Sequence, residues 1–242
     1  MATIDAFLFD FGGTLDCPRH WLDRFHQHYR TAGVDVSRRE LDRAFEHAMR
    51  IAYRRTGEMR VFGLAGLVAF LIAHQIDYLL REAPREVRGA LEHAGPHGRE
   101  KLRDRVESSF VQESLAGFGR SRAVLEGLRR RFRIAVVSNF YGNLDRVLAD
   151  GGLTPFVDAA IDSSLVGFAK PDPRIFKAAL NAIGVDASNA VMVGDSLDKD
   201  CAPARLLGIR TVWLCTNGAF DSGVPAADRT IAALDELPGI SW

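Results

Sequence analysis

Between residues 134 and 214 the chain alternates short apolar runs with helical segments, at a spacing that few folds can satisfy. Residues 134–137, roughly 156–161, 190–193 and 211–214 are dense in branched or aromatic side chains and bounded by turn formers. That is the signature of buried strands. Helical patterns lie between them: 144–149 before Gly151-Gly152, Pro173–Ile183 before Gly184, and 201–207 before Gly208. Strand, helix, strand at this spacing calls for parallel pairing through right-handed crossovers. A fifth apolar run, Ala6–Phe9, supplies one more strand at the N-terminal end. The expected class is α/β, a doubly wound parallel (Rossmann-like) sheet.

Residues 18–116 break the alternation. No strand pattern occurs there, and helical periodicity does, at Trp21–Thr31, 38–55, 64–80, Arg85–His93 and 99–115. In the second of these, Leu41, Phe45, Met49 and Ala52 recur at helical spacing, an apolar stripe that reads as packing. About a hundred helical residues after the first strand of an α/β core predict an inserted, all-helical cap. The expected division is a core of residues 1–16 and 117–242 and a cap of residues 17–116.

Composition narrows the partners. Lysine plus arginine equal aspartate plus glutamate, 31 against 31, so no basic excess advertises nucleic acid or an anionic membrane surface. Cys17, Cys201 and Cys215 show no metal-ligand spacing and read as free thiols. The longest apolar run, residues 61–73, is too short to span a bilayer. The N-terminus carries no basic-then-apolar leader pattern. A cytoplasmic protein with a small-molecule substrate is expected, with no nucleic acid and no membrane. Oligomeric state is not readable from the sequence.

In an open parallel sheet, ligands bind beyond the carboxyl ends of the strands. The residues reaching that edge are Asp10 to Thr14, then Ser138-Asn139, then Lys170 in the loop after the third strand, then Asp195 to Asp200. Asp10, Asp195 and Asp200 cannot all stay ionised at close range without a cation between them. Oxygen-only ligands select a hard ion, and an incomplete cage suits Mg²⁺ shared with a substrate phosphate. Ser138 and Lys170 complement phosphate oxygens by donation and by charge. Gly13 and Thr14 open a turn whose N–H groups can face an anion. The expected phosphate set is therefore Gly13, Thr14, Ser138, Asn139 and Lys170. An aspartate in line with phosphorus is a competent nucleophile.

Four segments, D-F-G-G-T-L, V-V-S-N, G-F-A-K-P-D-P-R-I-F and V-G-D-S-L-D-K-D, resemble in order and spacing the four motifs of the haloacid dehalogenase superfamily. The helical insertion between the first two resembles that superfamily's subclass I (C1) cap. The resemblance implies that Asp10 is nucleophile and Mg²⁺ ligand, and that the backbone carbonyl of Gly12 is a second ligand. It further implies that Ser138 binds the transferred group and Lys170 orients and neutralises it. Asp195 then holds the metal, with Asp200 a ligand directly or through water.

The first motif departs from the phosphatase pattern, where a second aspartate stands in place of Gly12. That carboxylate protonates the leaving group, and general acid–base catalysis contributes roughly 10²–10⁴-fold. Asp16 and His20 are the sequence-near candidates to replace it. The function expected is a Mg²⁺-dependent phosphohydrolase working through an aspartyl-phosphate. The alternative is a catalytically weak ligand-binding or regulatory protein of the same fold. Two readings stand further off. A 2-haloacid dehalogenase of this superfamily carries tyrosine where Gly12 stands and needs no metal. A phosphonatase needs a cap lysine, and the cap offers only Lys101.

Overall fold

In the computed structural model, which describes residues 3–216 and 227–240, one sheet forms the core, in the order β3-β2-β1-β4-β5-β6. The strands are β1 (Ala6–Phe9), β2 (Arg133–Ser138), β3 (Ala159–Asp162), β4 (Ala190–Gly194), β5 (Arg210–Leu214) and β6 (Arg229–Ile231). All five neighbouring pairs are parallel. β1 is central, paired to β2 through Phe7↔Ile134 and to β4 through Phe7↔Val191. A strand covered on both faces can be continuously apolar, and all four residues of β1 are buried. Its alternation sorts the two cores. Phe7 and Phe9 face one cluster with Ile134, Val136, Val191 and Val193, while Ala6 and Leu8 face another with Ala135, Val137 and Met192.

The helices are α1 (Trp21–Thr31), α2 (Arg38–Arg54), α3 (Thr56–Met59), α4 (Leu64–Glu82), α5 (Arg85–His93), α6 (Gly95–Arg129), α7 (Leu144–Asp150), α8 (Ser163–Val166), α9 (Pro173–Ile183) and α10 (Ala202–Leu206). Short 3₁₀ and π turns join several of them. The first five, with the N-terminal part of α6, make the all-helical insertion expected between β1 and β2. Ser37 and Glu40 start α2 with a capping box, which satisfies two orphan N–H groups.

Three expectations shift. The third strand begins at Ala159 rather than near 156, because Thr154–Phe156 forms a 3₁₀ turn around Pro155. The last cap helix does not stop at 115. It runs unbroken to Arg129, past the position drawn as the cap–core boundary, because Phe118, Val124, Leu125 and Leu128 continue a buried stripe. Helix α4 is longer than the apolar run in the sequence and, at 19 residues, is long and apolar enough to cross a membrane. Here Leu64, Leu67, Val68, Leu71, Ile72, Ile76 and Leu79 are buried, and α4 packs on α2 and α6.

Two contacts fasten the loop after β1 to α6. Ser121 Oγ donates to the Leu15 carbonyl at 2.6 Å. Gly117 sits so close to that loop that a Cβ would lie 1.6 Å from the Asp16 carbonyl oxygen. The long helix therefore bears directly on the segment that follows Asp10.

Candidate active site

β1 is flanked by β2 on one side and β4 on the other, so the chain reverses its winding direction there, and a crevice opens beyond the strand ends. Asp10 stands in it. Its N–H donates to the Val193 carbonyl at 2.9 Å, which fixes the residue to β4 as it leaves β1. Lys170 Nζ donates to Asp10 Oδ1 and to Asp200 Oδ1, each at 2.6 Å. All three side chains are buried or nearly so. Burial disfavours the ammonium form of Lys170, but the charges of Asp10 and Asp200 outweigh it and hold its pKa above the ordinary value. Lys170 is thus a fixed cation.

Asp200 is held on its other oxygen by the Ser196 N–H at 3.1 Å. One carboxylate oxygen from each of Asp10, Asp195 and Asp200 lies within 4.8 Å of the others. Burial raises the pKa of Asp195, and the Asp10 and Asp200 charges raise it further. Burial likewise raises that of Asp200, with Lys170 opposing. Three carboxylates therefore crowd around one ammonium.

Gly13 makes room for this arrangement. Its φ is +88°, and a Cβ there would lie 2.4 Å from Asp195 Oδ2. An all-oxygen donor set of this kind fits a hard divalent cation. Asp10, Asp195 and Asp200 are the side chains that would hold it, with Gly12 on the cleft wall beside them.

A cleft of about 380 Å³ opens from these residues toward the helical insertion, and Ser138, Asn139 and Lys170 line it. Ser138 closes β2 and is nearly buried. Asn139 has a positioning task in the structure. Its side chain donates to the Lys170 carbonyl at 2.9 Å and accepts from the Lys170 N–H at 2.7 Å. That reciprocal pair clamps the loop carrying Lys170 against the end of β2.

Gly13 and Thr14 fall outside the cleft lining. The anion-facing turn expected there is otherwise engaged, since the Gly13 N–H donates to Asp16 Oδ1 at 2.9 Å. Thr14 is buried, with no hydrogen-bond partner for its hydroxyl.

The two candidates for the missing acid–base separate. Asp16 is fully buried behind the site, where its carboxylate accepts from Gly13 N, Trp21 Nε1 and Arg24 Nη1. Bound in this way, it is a structural anchor. His20 lines the cleft. Its Nδ1 accepts from the Leu22 N–H at 3.2 Å, so the neutral ring carries its proton on Nε2. Burial lowers its pKa. Gly12 itself lies against the Trp21 indole, 3.2 Å from Nε1 to the place a Cβ would occupy. The indole thus crowds a side chain at position 12.

Reading the sequence alone misses the cap wall. Asp42, Phe45, Glu46, Met49 and Tyr53 all line the cleft, and they fall at helical spacing on one face of α2. Phe45 and Met49 were expected as packing, and the signal available was the acidic pair Asp42 and Glu46, four residues apart beside that stripe. Lys199 also reaches the cleft.

The family model for haloacid dehalogenase-like hydrolases matches residues 4–219, and the chain belongs to that family. Among curated proteins it is 36% identical over 139 residues to a phosphoserine phosphatase of Thermus thermophilus, covering 57% of this chain and 53% of that enzyme. It is 28% identical over 225 residues to bovine haloacid dehalogenase-like hydrolase domain-containing protein 3, covering 88% of this chain and 86% of that protein. The chain thus spans about half the phosphoserine phosphatase but most of the bovine protein. Among solved structures, a dehalogenase with an intermediate complex superposes with a TM-score of 0.65 at 18% identity. That match covers 100% of this chain and 99% of the other, a likeness of fold.

Proposed function

We propose that the protein is a Mg²⁺-dependent phosphohydrolase that cleaves a small phosphorylated metabolite through an aspartyl-phosphate at Asp10. The observation that carries this reading is Lys170 Nζ at 2.6 Å from both Asp10 and Asp200, with Asp195 completing a carboxylate cluster at the sheet edge. The family's phosphatase members support it, the phosphoserine phosphatase among them. A bound Mg²⁺ supplies positive charge to the phosphoryl oxygens and to the carboxylates that hold it.

The chain's own residues do the rest. Lys170 pairs with Asp10 at 2.6 Å and presents positive charge to the transferring group. One Asp10 oxygen attacks phosphorus, the bond from phosphorus to the substrate oxygen breaks, and water later cleaves the acyl phosphate to release inorganic phosphate. Ser138, on the cleft wall without a hydrogen-bond partner among the described residues, is free to donate to a phosphoryl oxygen. Gly12 brings no carboxylate to protonate the departing oxygen, so leaving groups of low basicity react fastest.

The test is release of phosphate from an aryl phosphate with Mg²⁺, with Asp10→Asn as the blank. Asp10→Asn is expected to lower kcat by about a thousandfold or more, and chelation is expected to abolish turnover. Phosphate release that persists in Asp10→Asn refutes the reading. Chloride release from a 2-haloacid in the presence of chelator would replace it with the dehalogenase, and phosphate binding without turnover with the regulatory protein.

A further inference from the structure

The cleft is lined by charges of both signs. From the core come Lys170 and Lys199; from the cap come the carboxylates of Asp42 and of Glu46, the latter exposed. Asp42 is half-buried. Among the described residues neither Asp42 nor Glu46 enters an ion pair or a hydrogen bond. Arg38 bears electrostatically on Asp42, but its guanidinium is bonded to Asp23 at 2.8 Å. Among the described residues no arginine lines the cleft, so a second anionic group on a substrate would find no guanidinium there.

Aromatic rings line the same cleft. Tyr53 of α2 meets Tyr141 of the core at 4.9 Å between ring centroids. Tyr141 in turn contacts Phe140 at 5.2 Å, and Phe140 contacts Trp21 at 6.2 Å. Aromatic faces beside unpaired carboxylates attract an organic cation and give nothing to a second anion.

We infer that the cleft selects phosphomonoesters whose alcohol carries an ammonium group, with Asp42 and Glu46 receiving the cation while the phosphate lies at Asp10 and Lys170. This rests on the phosphohydrolase reading above and names its substrate class. The chemistry of Gly12 agrees with it. An ammonium close to the ester oxygen draws electron density and makes the departing alkoxide a weaker base. Such a substrate depends less on the acid that position 12 lacks.

The experiment compares kcat/KM, with Mg²⁺, for phosphoethanolamine, ethyl phosphate and phosphoglycolate, which share a two-carbon alcohol and differ in charge. Wild-type protein is expected to prefer the amine over the neutral ester by about tenfold or more, and the neutral ester over the acid. The double variant Asp42→Asn/Glu46→Gln is expected to bring the amine-to-neutral ratio down toward the intrinsic reactivity ratio of the two esters. Asp42→Lys/Glu46→Lys is expected to favour phosphoglycolate. Thermal unfolding of each variant checks that it folds, and ratios of substrates on one preparation are insensitive to partial unfolding. A wild-type ratio near one, or a preference unchanged in the double variant, overturns the inference. If the aryl phosphate is not hydrolysed by wild-type protein, the phosphohydrolase reading fails and takes this one with it.

Discussion

The side chain on which the site's geometry leans most is Arg24, and its removal has a calculable cost. Arg24 is fully buried, a rare state for arginine. Its Nη1 donates to Asp16 Oδ2 at 2.5 Å and its Nε to Glu113 Oε2 at 3.1 Å. Its Nη2 donates to the Phe110 carbonyl at 3.0 Å and to Ser114 Oγ at 2.6 Å. The guanidinium carbon also lies 3.8 Å from the Phe110 ring centre. Arg24→Met keeps much of the volume but leaves Asp16, itself wholly buried, without its cation. Breaking a buried pair from one side costs about 3–5 kcal/mol. For a chain of this size that lowers Tm by roughly 10 °C. Urea denaturation of Arg24→Met, Asp16→Asn and the double variant measures both the cost and the coupling. The double variant is expected to be less destabilised than the sum of the singles by about 1–3 kcal/mol. Arg24→Met within about 1 kcal/mol of wild type, or coupling below about 0.5 kcal/mol, would refute the reasoning.

Two further outcomes follow from the same geometry. Gly13→Ala puts a Cβ 2.4 Å from Asp195 Oδ2 and demands φ +88° of an L residue, so it is expected to weaken Mg²⁺ binding at least about tenfold and to destabilise by about 1–2 kcal/mol; unchanged metal affinity by calorimetry would contradict the cradle. Burial opposes ionisation of Glu113, but hydrogen bonds from Arg19 and His28 and the charge of Arg24 prevail and hold its pKa down at about 2, below its ordinary 4.5. A carboxyl whose pKa is depressed on folding stabilises the protein above its unfolded value and loses that contribution as pH falls toward the folded one. Wild type should therefore lose up to about 3 kcal/mol more than Glu113→Gln between pH 5 and pH 2, and parallel stability curves for the two would sink the assignment.

How much of this was legible in the sequence depends on whether a feature is local. β1 and three later strands are apolar runs bounded by turns, and such runs disclose themselves because a parallel strand is buried on both faces. β6 did not. Three residues, of which only Ile231 is buried, carry no pattern of their own, and the strand exists through its pairing with β5. The helix expected over 99–115 runs on through Gly117, Gly119 and Gly127, although glycine disfavours a helix interior. Packing overrides that preference, since Gly117 is where the loop after β1 needs the helix backbone close. Asp10, Lys170, Asp195 and Asp200 were legible because each follows a recognisable strand. The sheet topology alone then delivers them to one edge.

The roles of Gly13, Asn139 and Asp16 were not legible, because each depends on a partner chosen by tertiary structure. Gly13 is expected from the sequence to open an anion-facing turn. The 2.4 Å approach of Asp195 to its Cβ position is a clearance that only the tertiary structure discloses. Asp16 looked like a free carboxylate next to the site, yet burial and three donors turn it into the tie between the loop after β1 and α1. The same donors explain Gly12. Trp21 is drawn down by its 2.7 Å bond to Asp16, and its indole then lies against position 12 with little room for a larger residue. Gly12 is therefore part of a packing arrangement that involves Asp16, Trp21 and Arg24 together. A side chain at position 12 needs Trp21 to give by a few tenths of an ångström, so that position is shaped by the helical insertion as well as by the motif after β1.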